Sequence, residues 1–85
     1  MDLKEIKKRA DTLSKDLPLG VWMTLNQLAQ LADISTVTIW RLPADEKPDT
    51  IRMAGAEMIQ IDAGIAWADR YWRRQEAKKQ ARGAK

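Results

Sequence analysis

Residues 24–42 read TLNQLAQLADISTVTIWRL, and this stretch decides the fold. Thr24 suits a helix N-cap, and Gln27 three positions on completes a capping box. Leu25, Leu28, Ala29 and Ala32 recur at helical spacing and give one apolar face, on which the small Ala29 admits a second helix at close range. Asp33-Ile34-Ser35 breaks the pattern, and Ser35 is placed to cap a second helix over Thr36–Leu42. In that helix Ile39 and Leu42 face inward, whereas Thr36, Val37, Trp40 and Arg41 face outward. Pro43 ends it, because it has no N–H to continue the hydrogen-bond ladder. Two helices joined by a short turn, with a polar and aromatic outer face, predict a helix-turn-helix. The structural alternative is an ordinary helical hairpin inside an all-α core.

Upstream, Asp2 caps a helix expected over Leu3–Leu17, in which Leu3, Ile6, Ala10, Leu13 and Leu17 form one stripe. The stripe packs on its own domain or on a second copy of the chain, and the first is the more economical use. Pro18 and Gly20 stop this helix. Val21–Met23 then forms a short strand or a hydrophobic staple ahead of the Thr24 cap, with Trp22 read as a core residue.

Downstream, residues 43–50 (PADEKPDT) read as a loop. Thr50–Met53 and Glu57–Ile61 make a β-hairpin if Ala54-Gly55 supplies the turn, since Gly55 tolerates the unusual dihedral. Yet Ala54, Met58, Ile61, Ile65, Ala68 and Trp72 also fall at helical spacing. Gly55 and Gly64 each cost about 1 kcal/mol in a helix relative to Ala, which favours the hairpin over one unbroken helix. The last helix is then expected from Asp62 as N-cap, burying Ile65, Ala68 and Trp72. Residues 1–74 form a single domain, and residues 75–85 a basic tail that frays.

The chain has 85 residues, enough for one small domain with a modest core. It lacks Cys and His, which excludes disulfides and the common zinc sites and removes the usual nucleophiles and proton shuttles. No paired carboxylates or phosphate-binding glycine loop point to catalysis, so neither an enzyme nor a cofactor is expected. The start, MDLKEIKKRA, lacks the apolar centre of a signal peptide, and no apolar run spans a bilayer; a cytoplasmic protein without membrane contact is expected. The net charge of +3 is unevenly spread: from Arg70 onward seven basic residues face Glu76 alone, while the first 69 residues carry eight basic and eleven acidic ones. That end either binds phosphates or solvates a helix terminus.

The segments LNQLAQLADISTVTIWR (25–41) and GAEMIQIDAGIAWADRYWRR (55–74) resemble the winged-helix proteins of the MerR and phage-excisionase superfamily. That group includes AlpA-like phage regulators and the DNA-binding domain of lambda-type small terminase subunits. The first segment is similar to the family pattern LxxLAxLxGxSxxTIxR. The second is similar to its wing and following helix, with Gly55, Met58–Ile61, Asp62, Ile65 and Trp67 at the matching positions. The resemblance implies a mostly α fold with a small β-hairpin, a winged helix-turn-helix to which this chain adds an N-terminal helix. It implies sequence-specific binding of double-stranded DNA by a phage-type transcriptional regulator or excisionase. Ser35, Thr36, Val37, Thr38, Trp40 and Arg41 would contact DNA from the recognition helix, with Thr38 and Arg41 matching TIxR. Arg52 would contact it from the hairpin, and Arg73, Arg74, Lys78 and Lys79 from the basic end. Asp33 stands where the family usually has Gly, Val37 where it often has Arg, and Glu57 in a wing that is usually basic.

Trp40 has two readings, an exposed wedge at the DNA face or a core residue against the last helix, the latter being more common for Trp. With Arg41 the one cation of the motif, a single copy binds weakly, and a homodimer or cooperative oligomer is expected to raise occupancy. Two other roles fit the same residues: a DNA-binding part of a nucleoprotein assembly, such as a small terminase subunit, and a protein-interaction module.

Overall fold

Thr24 is the hinge of the architecture: it ends a strand and caps a helix at once. The computed structural model describes residues 1–15, 17 and 21–83, with side chains as far as Lys79. The elements run α1 (Leu3–Ser14), β1 (Trp22–Thr24), α2 (Leu25–Ala32), α3 (Thr36–Trp40), a 3-10 turn (Ala44–Glu46), β2 (Ile51–Met53), β3 (Ala56–Gln60) and α4 (Ile61–Gly83). The molecule is thus mostly helical, with one small antiparallel sheet in the order β1-β3-β2. No helix among the described residues is long and apolar enough to cross a membrane.

The caps form as the sequence predicts. Asp2 Oδ1 accepts from the Glu5 N–H at 2.9 Å, and Thr24 and Gln27 cap each other reciprocally. Asp33 adopts the left-handed conformation (φ 56°, ψ 44°) that ends α2 and redirects the chain into α3. Asp reaches this region more readily than most residues with a Cβ. Helix α3 stops at Trp40, shorter than the expected Thr36–Leu42, with Arg41 as its C-cap just ahead of Pro43. Helix α1 ends at Ser14, short of Leu17, and the stop expected at Pro18 and Gly20 lies outside the described residues.

The hairpin reading of residues 50–61 holds, which excludes an unbroken helix there. Ala54 (φ 51°) joins Gly55 (φ 80°) at positive φ, so both turn positions bend the tight way a two-residue hairpin needs. The sheet has a third member, the short strand expected near Val21–Met23, whose partner local periodicity does not identify. β1 pairs with β3 through Trp22↔Gln60, Met23↔Ile59 and Thr24↔Met58, and the Ile61 N–H donates to Val21 O at 2.7 Å. Strand alternation then sets the inward side chains. Met23 is wholly buried and Ile59 nearly so, while Trp22, expected in the core, is only half-buried.

Helix α4 begins at Ile61 directly from β3, so Asp62 lies inside its first turn and is not the N-cap. Its buried face is turned from the expected stripe: Trp67, Ala68 and Tyr71 are buried, with Ile65 and Trp72 at the margin. Gly64, which weighed against a helix here, is helical for a packing reason. A Cβ there would collide with Met23 Cε and press on Leu28 Cδ1, so its absence lets α4 lie on β1 and α2. Residues 75–85, expected to fray, are helical as far as Gly83, in keeping with the strong helix formers Gln, Glu, Ala, Lys and Arg there. Helix α1 packs on α4 and α2, with Ile6 fully buried, an apolar burial worth about 1.5–3 kcal/mol.

Candidate nucleic-acid interface

Helix α3 is held from below and left open above. Ile39 is its one buried residue and faces the core. At its start, Ser35 Oγ accepts from the Thr38 N–H at 3.1 Å, and the Ser35 and Thr38 hydroxyls share a hydrogen bond of 3.0 Å. At its end, the Arg41 N–H donates to Val37 O at 3.0 Å and the Leu42 N–H to Ile39 O at 3.2 Å. Val37 and Trp40, one turn apart, are 51% and 57% exposed, and the Arg41 side chain beside them is exposed as well.

The inward reading of Trp40 is therefore incorrect. The tryptophans that α4 packs into the protein are its own Trp67 and Trp72, whose indole N–H groups donate to Glu46 O at 2.9 Å and to Ala32 O at 2.8 Å.

Two neighbouring elements fix the orientation of α3 through the end of α2. Arg9 of α1 donates through Nη1 to Gln30 O at 3.1 Å, and its Nη2 lies 3.7 Å from the Asp33 carboxylate. Trp72 of α4 takes the Ala32 carbonyl. Carbonyls in the last turn of α2 thus accept from side chains of both flanking helices, Gln30 O in addition to the Asp33 N–H at 3.2 Å. Neither contact is visible from sequence spacing, since the partners are 21 and 40 residues apart.

The hairpin stands beside α3. A cleft of ≈ 330 Å³ between them is lined by Thr24, Leu25, Asn26, Thr36 and Trp40 on one side and by Ala56 and Glu57 on the other. Arg52, exposed on β2, lies directly across from Glu57 in the strand register. Thr50 Oγ1 donates to Glu57 Oε1 at 3.5 Å. Lys47, which the sequence reading passed over as loop, places its Nζ 5.8 Å from the centroid of the Trp40 ring, within cation–π range.

The expected site residues therefore divide. Ser35, Thr36, Val37, Thr38, Trp40 and Arg41 cluster on α3 and its cap, with Arg52 across the cleft on the hairpin. Arg73 and Arg74 of α4 are engaged within the protein. Arg74 Nε lies 2.9 Å from Glu46 Oε1, and Arg73 Nε lies 3.1 Å from Asp69 Oδ2. Arg73 also borders a recess with Met1, Asp2, Leu3 and Lys4, at the start of α1. Lys78 and Lys79 are exposed further along α4.

Among the described residues, no three carboxylates come together in a way that would hold a metal ion. Compared with protein-family models, curated proteins and solved structures, the chain matches none.

Proposed function

We propose that the protein binds double-stranded DNA sequence-specifically as a winged helix-turn-helix, with α3 in the major groove and the β2–β3 hairpin as the wing. The observation that carries this reading is the outer face of α3: Val37, Trp40 and Arg41 are exposed on a helix capped at both ends and anchored by Ile39. Val37 and Trp40 lie one turn apart on that face, and neighbouring exposed apolar groups bordered by polar ones suit an interaction surface. Arg41 at the helix end, Lys47 beside Trp40 and Arg52 on the flanking hairpin suit a polyanion. A phage-type regulator or excisionase is the role that fits a small domain of this kind, acting in the cytoplasm. With so few cations per copy, two or more copies would act together, as a homodimer or a cooperative oligomer.

A protein-interaction module is the second reading, and Glu57 favours it, because a carboxylate on the cleft wall repels phosphate. Titration of mixed-sequence duplex DNA at several salt concentrations separates the two. A DNA binder shows log affinity falling linearly with log salt, by about 0.9 for each phosphate neutralised. Absence of any salt-dependent binding would remove the DNA reading and leave the interaction module.

A further inference from the structure

Building on that DNA-binding role, we propose that α3 reads thymine through its C5-methyl groups, so that the preferred site is defined by apolar contact more than by hydrogen bonding. In the major groove, thymine alone among the four bases offers a methyl group, and apolar side chains recognise it by burying it. Two of the three hydroxyls at the start of α3 are engaged with each other. The Ser35 and Thr38 hydroxyls bond to each other, and Ser35 also holds the Thr38 N–H. Val37 and Trp40 are the exposed apolar side chains of the helix, no Asn, Gln or Lys stands between Ser35 and Trp40 to read an adenine or guanine edge, and Arg41 lies beyond them at the C-cap.

The surrounding charge supports the same occupant. Arg41 caps the end of α3, Lys47 lies over Trp40 and Arg52 is exposed on the hairpin, so cations accompany the apolar side chains. A groove whose walls are phosphates and whose floor carries methyl groups is complementary to that arrangement. Glu57 disfavours a phosphate inside the cleft itself, which leaves the α3 face as the part turned to the bases.

The test starts from a duplex library with a randomised core, enriched on the full chain. The enriched duplexes are then synthesised with deoxyuridine in place of thymine, which removes only the methyl groups. The expected result is weaker binding by about fourfold for each contacted methyl. Val37→Ala, a change at an exposed position, should bind the thymine and uracil duplexes more nearly alike. Equal affinity of the wild-type protein for both duplexes, or an enriched site without thymine, would overturn the inference while leaving DNA binding intact. Failure to enrich any sequence would instead overturn the DNA-binding reading itself, and this inference with it.

Discussion

Helices α3 and α4 make opposite use of their side chains. Helix α4 carries most of the basic residues of the second half of the chain, yet Arg73 and Arg74 are tied to Asp69 and Glu46. It also supplies Trp67, Ala68 and Tyr71 to the core. Helix α3 holds no cation within its five residues and ends on the single Arg41, yet it turns Val37 and Trp40 to solvent. The difference teaches that charge along a sequence does not show which groups the fold leaves free: Arg73 and Arg74 are paired, whereas Lys78 and Lys79 on α4 and Val37 and Trp40 on α3 stay exposed.

Two tryptophans give the largest contrast. Trp67→Ala removes a side chain only 2% exposed, together with its hydrogen bond to Glu46 O, and should cost about 3–5 kcal/mol of stability. Trp40→Ala should change stability by no more than about 0.5 kcal/mol, since its ring is largely in solvent. Thermal or urea unfolding of both variants measures the gap, and equal losses would erase the distinction between the helices.

Arg41→Ala comes next. It should weaken specific DNA binding by about 1–3 kcal/mol with the fold intact, read by titration against the parent protein and by circular dichroism. Undiminished affinity would mean that the wrong face has been assigned.

The α4 cations sharpen the comparison further. Arg74→Ala should lower stability by about 1 kcal/mol, through the lost pair with the half-buried Glu46, and leave the salt slope of DNA binding unchanged. Lys78→Ala with Lys79→Ala should leave stability unmoved. If the exposed end of α4 also touches phosphate, specific and random duplexes should lose affinity alike, and the salt slope should become shallower by up to about 0.9 per lost contact. An unchanged slope would confine binding to α3 and the hairpin.

Much of this arrangement is legible in the sequence because its signals are local. Asp2, the Thr24–Gln27 box and Ser35 each act within three residues of themselves, and Asp33 and Gly55 announce left-handed backbone where the chain turns. The rest depends on partners far along the chain. The pairing of β1 with β3, the grip of Arg9 on the end of α2, and the capture of Arg74 by Glu46 each join segments more than 20 residues apart. For Trp40 the sequence leaves both readings open, because periodicity within residues 36–42 does not say which helix face meets the core; Ile39 does in the fold, and Trp40 stays 57% exposed.

The most direct test of the central claim is a map of backbone amide chemical shifts of the full chain as an enriched duplex is titrated in. The α3 face as the DNA contact predicts the largest perturbations over residues 35–41 and at the hairpin around Arg52–Glu57, with smaller ones along α4. Perturbations concentrated at Arg70, Lys78 and Lys79, with residues 35–41 unmoved, would contradict it.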